Sequence, residues 1–116
     1  YVKSNIGLNI REKSNGENAI RFFTERITED ALFLLDEPEN SLAPNRQLEL
    51  AQFLEEAVRF YRGQIVMATH SPFLAAMKEA VVYDLDSRPA IIRNWYELEG
   101  IKLYQKFFEA NRHYFR

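Results

Sequence analysis

Apolar residues follow two patterns in the middle of the chain, and each pattern predicts a different kind of element. Residues 31–35 and 65–68 are short continuous apolar runs that stop at polar residues. Such runs are typical of strands covered on both faces, as in a parallel sheet. Between them, apolar residues at helical spacing predict a helix from Pro44 to about Tyr61, ended by Gly63. The stripe consists of Leu50, Phe53, Leu54, Ala57, Val58 and Tyr61. Strand, helix and strand together predict a βαβ unit with a right-handed crossover.

The flanking segments carry weaker patterns. Apolar spacing over residues 16–27 predicts a helix capped by Ser14 or Asn15. Downstream, we expect strands at 80–85 and 90–95, followed by a final helix at 97–111. Its stripe consists of Leu98, Ile101, Tyr104 and Phe108.

The end of the chain mixes basic and aromatic side chains, from Ile101 to Arg116. Such mixtures can bind nucleic acid through phosphate contacts and stacking. However, Tyr104 and Phe108 share a helical stripe with Ile101, so we expect these aromatics to pack onto a core instead.

Composition excludes several classes of protein. The chain has 116 residues, 47% of them hydrophobic and 28% charged, which is ordinary for one globular domain. The absence of cysteine excludes a disulfide scaffold, a thiolate metal site and a cysteine nucleophile. A net charge of -2 gives no overall sign of nucleic-acid binding. No apolar run approaches a membrane span and no signal peptide opens the chain, so we expect a cytoplasmic protein.

The polar residues after the two central runs could carry chemistry. In an open α/β sheet, ligands bind at the carboxyl ends of the strands, so Asp36, Glu37 and His70 are predicted to lie side by side. A carboxylate such as Asp36 can bind Mg²⁺, and Glu37 could orient or deprotonate an attacking water. The same residues also fit a plain strand end and a histidine that caps the next helix.

Four segments carry a resemblance to a known family. Leu34–Pro38 resembles the Walker B motif and catalytic glutamate of ABC-type ATPases. Residues 40–44 resemble the D-loop, 69–72 resemble the switch-histidine loop, and 13–17 are similar to the signature motif. All four occur in the order that the family has. The D-loop and histidine segments are closer to soluble AAA-like and SMC-like ATPases than to transporter subunits.

The resemblance implies an α/β, partial P-loop NTPase fold of the ABC type, with a mostly parallel sheet flanked by helices. It implies that ATP and Mg²⁺ bind at a dimer interface, with Asp36 in the Mg²⁺ shell. Glu37 would polarise the hydrolytic water, and His70 would contact the γ-phosphate. The signature motif would bind the γ-phosphate of ATP held by the other subunit, through N–H groups at a helix start. Its residues are Ser14, Gly16 and Glu17.

One essential motif of such enzymes is missing from the sequence. No G-x-x-x-x-G-K-[ST] sequence occurs among the 116 residues, so the P-loop and its lysine are lacking. The resemblance therefore covers the C-terminal part of an ATPase domain over residues 1–116, and a start at Tyr1 agrees with a fragment. We expect the fragment alone to be inactive towards ATP. A bare sheet edge and an uncovered apolar face would make it self-associate, exchange elements or bind its missing half.

Two other functions remain open from the sequence. A metal-dependent phosphoesterase or nuclease could use Asp36, Glu37, Glu39 and His70 as ligands. A non-catalytic interaction module could use its exposed half-sheet to bind a P-loop-bearing partner. The sequence leaves open whether the work driven is transport, DNA maintenance or defence, and whether nucleic acid or a membrane is a partner.

Overall fold

The computed structural model describes Glu25, residues 32–61 and residues 63–115. The chain divides into two compact units, one ending at Lys78 and the other beginning at Glu79. The predicted helix at 16–27 lies outside the described residues except for Glu25, which is helical.

The first unit contains the predicted βαβ arrangement. Strand β1 (Leu32–Asp36) is followed by helix α1 (Pro44–Tyr61) and strand β2 (Gln64–Ala68). The strands pair in parallel, with Leu32 opposite Gln64 and Asp36 opposite Ala68. A four-residue helix, α2 (Pro72–Ala75), follows β2. The two strands and the long helix were thus predicted to within a residue or two of their observed ends.

The core of this unit lies on one face of the sheet. Side chains alternate along a strand, so Phe33 and Leu35 point to the covered face and are each 3% exposed. The buried cluster consists of Phe33, Leu35, Leu42, Leu50, Ala51, Leu54, Ala57 and Leu74. On the opposite face, Leu32, Leu34 and Val66 are 40–53% exposed. The described helices cover one face of the sheet only, so covering on both faces is not seen among the described residues, and the second face is the uncovered apolar face expected from the sequence.

Helix α1 begins at Pro44, whose fixed φ suits the first helical turn and whose missing N–H leaves no helical bond unmade. Its predicted stripe is correct as far as Ala57. Val58 and Tyr61 fall on the same helical face as Leu54, but they lie in the last turn and remain exposed. The apolar stripe predicted from the sequence is therefore longer than the part of the helix that is buried.

The second unit is a hairpin followed by a helix. Strands β3 (Val82–Asp84) and β4 (Ile91–Arg93) pair antiparallel in a sheet of their own. A 3-10 turn at Trp95–Glu97 precedes helix α3 (Glu99–Ala110), and a second turn covers Arg112–Phe115. The predicted elements exist, but the strands are shorter than expected. The described strands form two separate sheets: β1 and β2 make a parallel pair compatible with part of the expected sheet, and β3 and β4 make an antiparallel pair.

The hairpin is organised around the buried side chain of Asp84. Burial opposes ionisation, but Asp84 accepts hydrogen bonds from the Asp86 N–H, the Arg93 guanidinium and the Ser87 hydroxyl. These donors outweigh burial and hold the pKa of the Asp84 carboxyl below its ordinary value. The Arg93 Nε lies 2.8 Å from Asp84 Oδ2. Because Arg93 belongs to β4 and Asp84 to β3, this ion pair links the two strands of the hairpin.

Helix α3 does not bury its aromatic stripe. None of its residues is buried, and Tyr104 and Phe108 are about half exposed. The expected packing of this stripe onto a core is therefore wrong. The unit begins only at Glu79, and a segment of about 40 residues rarely encloses a helix face alone. No helix in the described part of the chain is long and apolar enough to cross a membrane.

Candidate functional site

The ends of β1 and β2 place two polar loops at one edge of the parallel sheet. Asp36 closes β1 directly opposite Ala68, which closes β2. The backbone N–H of Glu37 then donates to the carbonyl oxygen of Ala68 at 2.7 Å. The two loops therefore leave the sheet side by side, as the rule for parallel strands predicts.

Glu37 and His70 meet across these loops. His70 Nε2 lies 3.8 Å from Glu37 Oε2, which is too long for a hydrogen bond but within reach of an ion pair if the imidazole is protonated. Asn40 donates from Nδ2 to the other oxygen, Glu37 Oε1, at 3.2 Å. The His70 side chain is 88% exposed and that of Glu37 is 39% exposed, so a ligand can reach both from solvent.

Glu37 adopts a backbone conformation that residues with a side chain seldom use. Its φ is 49°, in the left-handed region, at a cost of roughly 1–2 kcal/mol for a residue with a Cβ. The bond from its N–H to Ala68 and the contact with Asn40 hold it there. Strain of this kind concentrates at functional sites, where it fixes a side chain in place.

Asp36 has donor chemistry that suits Mg²⁺. It lies exposed at the end of β1, beside Glu37. Mg²⁺ is commonly held by one or two carboxylates together with substrate phosphates and water, so a single strand-end carboxylate fits. The described residues contain no cluster of three or more potential ligands of the His, Cys, Asp and Glu types.

Glu39 is the residue whose position sequence reasoning did not anticipate. It is only 8% exposed. Its carboxylate accepts a hydrogen bond from Thr69 Oγ1 at 2.6 Å and another from the backbone N–H of His70 at 2.8 Å. Both oxygens are thus engaged by the chain, which makes Glu39 a poor fourth ligand for the phosphoesterase alternative. No local pattern marks this role, because its partners lie 30 and 31 positions away.

Ser71 caps helix α2, so His70 does not have that role. The Ser71 hydroxyl accepts from the N–H of Leu74 at 3.3 Å and donates to Gln47 Oε1 at 2.8 Å. Gln47 in turn donates from Nε2 to the carbonyl oxygen of Leu42 at 3.0 Å. The histidine segment is therefore joined to the D-loop-like segment through Gln47, a second residue that sequence reasoning missed.

Comparison with known proteins places these loops in a family. A family model described as "AAA domain, putative AbiEii toxin, Type IV TA system" matches residues 3–76. The chain belongs to this family. Membership makes it part of an AAA-type, nucleotide-binding, ATPase-like domain, and the small parallel sheet is compatible with part of a P-loop fold. No curated protein and no solved structure gave a match.

The match covers both strand-end loops and extends upstream across the signature-like segment. The signature-like residues Ser14, Gly16 and Glu17 lie outside the described residues, so their assignment remains a prediction. Of the predicted site residues that are described, the side chains of Glu37 and His70 approach to 3.8 Å, and Asp36 directly precedes Glu37 at the end of β1.

Proposed function

We propose that the intact gene product binds and hydrolyses Mg·ATP, and that this chain supplies the carboxylate and histidine side of the site. The observation that carries the proposal is the approach of Glu37 and His70 at the ends of two parallel strands, within the segment that matches an AAA family. The finer assignment to the ABC type is supported by the resemblance of residues 34–38, 40–44 and 69–72.

Glu37 has the geometry of a group that orients and polarises a water. Asn40 holds Oε1, so the Oε2 atom is directed towards His70 and solvent. A general base in such a position contributes about 100-fold to 10,000-fold to a rate. His70 can donate from its imidazole to a phosphate oxygen, which makes it suited to contact the γ-phosphate.

Asp36 is the residue that would hold Mg²⁺, together with phosphate oxygens of the nucleotide. When bound, Mg²⁺ neutralises charge on the phosphate groups that are transferred. The role of Asp36 is then to fix this charge next to Glu37 at the strand end.

The main phosphate-binding loop of such a site is lacking, since no Walker A sequence occurs among these 116 residues. We propose that another segment or another polypeptide provides it. We further propose that Ser14, Gly16 and Glu17 face the nucleotide of a second copy, so that active sites form between two subunits. On this proposal residues 1–116 are the C-terminal part of the ATPase domain, inactive in isolation.

The experiment that tests the proposal is ATP hydrolysis by the intact gene product over a series of Mg²⁺ concentrations. Asp36→Asn removes the proposed Mg²⁺ carboxylate, and we expect turnover to fall by about 100-fold or more, with partial recovery at high Mg²⁺.

The matched control is Asp86→Asn, which changes an exposed aspartate in the hairpin. Its turnover should equal that of the wild type. Absence of ATP hydrolysis by the intact gene product, or an Asp36→Asn variant as active as wild type at every Mg²⁺ concentration, contradicts the proposal.

A further inference from the structure

Glu39 is a buried carboxylate for which the proposed hydrolysis has no direct use. We infer that Glu39 is a positioning residue, which holds the Thr69–His70 loop so that the His70 imidazole stays next to Glu37. The inference rests on the proposed function for its effect on turnover, but its structural part concerns the loop alone.

The environment of Glu39 requires both of its hydrogen bonds. A carboxylate that is only 8% exposed is costly unless its oxygens are paired. One oxygen accepts from the Thr69 hydroxyl at 2.6 Å and the other from the His70 N–H at 2.8 Å. Both distances are those of well-formed hydrogen bonds, so each carboxylate oxygen is fully engaged by the loop.

The link acts directly on the residues that would take part in the reaction. The His70 N–H that binds Glu39 belongs to the residue whose imidazole lies 3.8 Å from Glu37. Glu39 itself follows Glu37 by two residues, and the proline between them is fully buried. Thus one end of the link is anchored beside Glu37 and the other end is His70.

Thr69 extends the same link along the loop. Its hydroxyl donates to Glu39 and accepts from the N–H of Ser71 at 3.0 Å. Three consecutive residues, 69 to 71, are therefore fixed through one carboxylate and one hydroxyl. Without the carboxylate, the loop keeps its Ser71 cap on α2 but loses the bonds that tie it to the end of β1.

A carboxylate at position 39 suits this role better than an amide. The two donors, a hydroxyl and a backbone N–H, need two acceptors, and glutamine offers only one oxygen. Glu39→Gln therefore conserves shape but removes one of the two bonds. Thr69→Val likewise conserves shape and removes the hydroxyl, whereas Thr69→Ser retains it.

The first test is a double-mutant cycle for ATP turnover by the intact gene product, using Glu39→Gln and His70→Ala. We expect Glu39→Gln to lower kcat about 10-fold with KM changed less than about twofold, since one bond to the loop is lost. In the His70→Ala background, the same substitution should change kcat by less than about twofold, because its effect passes through His70.

Two controls accompany the cycle. Thr69→Val should reproduce the kcat loss and Thr69→Ser should restore it. Glu49→Gln, an exposed acid of α1 paired with Arg46, should leave turnover unchanged. An equal kcat loss from Glu39→Gln with and without His70 overturns the inference, because Glu39 would then act on the structure in general.

The second test needs no nucleotide and separates this inference from the proposed function. Hydrogen exchange of the His70 amide should be about 10-fold faster in Glu39→Ala than in wild type, since the amide loses its acceptor. If Glu39→Ala does not fold, Glu39→Leu, which fills the same site without an acceptor, is measured instead and should also exchange faster. Unchanged exchange overturns the inference, whereas faster exchange in a protein that does not hydrolyse ATP overturns only the proposed function.

Discussion

The two units each contain a buried carboxylate, and the two are satisfied in different ways. Asp84 accepts its hydrogen bonds from residues within nine positions, and one donor is the guanidinium of Arg93. Glu39 accepts from uncharged groups that lie 30 and 31 positions away. The first arrangement therefore defines a local turn, whereas the second fixes the relation between two strand ends. Similar chemistry closes a hairpin in one unit and aligns a candidate site in the other.

The largest expected difference between the units is in their packing, and a matched pair of leucines tests it. Leu54 of α1 is 1% exposed and Leu103 of α3 is 67% exposed. Leu54→Ala should lower the free energy of unfolding by about 2–5 kcal/mol, because it leaves a cavity in the core. Leu103→Ala should change it by about 0.5 kcal/mol or less. Chemical denaturation measures both free energies of unfolding. Similar losses from the two substitutions would contradict the difference in packing between the first unit, which has a buried core, and helix α3, which is exposed.

The next difference is how far along the chain the structure depends on each of the two carboxylates, Glu39 and Asp84. Glu39→Ala should cost about 1–3 kcal/mol for partly buried donors left unpaired, and it should speed amide exchange in the loops after both β1 and β2. Asp84→Asn should speed exchange only between Asp84 and Arg93. Residue-resolved exchange measures both variants. Exchange that changes around His70 in Asp84→Asn would show that the hairpin is not an independent local structure.

A smaller effect is the acid dependence of the hairpin. The pKa of Asp84 is lowered on folding from its ordinary value of 3.8, so its contribution to stability is fully present above that value and is lost as pH falls through the folded pKa. Exchange protection within the hairpin should therefore weaken only below about pH 4. In Asp84→Asn this acid-dependent step should be absent. A step of unchanged size in that variant would assign it to another group.

The smallest effect concerns two surface ion pairs, one in each unit, that have the same length and the same spacing of three residues. Arg46 pairs with Glu49 in α1, and Arg112 pairs with Glu109 at the end of α3, each at 2.8 Å. Exposed pairs contribute about 0–1 kcal/mol, so Glu49→Gln and Glu109→Gln should each have little effect, and less still in 1 M salt. A large loss of unfolding free energy from only one of the two substitutions would show that its ion pair is more than an ordinary surface contact.

The sequence predicted the first unit better than the second for a physical reason. The runs at 31–35 and 65–68 and the stripe of α1 are strong local patterns, and they became strands and a helix that pack together. The stripe of α3 is as periodic, yet it stays exposed, because periodicity predicts a helix and does not say what covers it.

The site shows the same division between local and long-range information. The approach of Glu37 to His70 followed from a general rule about the ends of parallel strands. The buried link from Glu39 could not be predicted, because it depends on how two loops 30 residues apart meet in space. The left-handed backbone of Glu37 was also not predictable, since no glycine or asparagine marks it.

The measurement that tests the central claim most directly compares ATP binding and ATP hydrolysis in wild type and Glu37→Gln of the intact gene product. Glutamine keeps the shape of the side chain but cannot accept a proton from water. We expect hydrolysis to fall by about 100-fold to 10,000-fold while ATP binding is retained, and Glu56→Gln, an exposed acid of α1, to behave as wild type. A Glu37→Gln protein that hydrolyses ATP at the wild-type rate would contradict the account.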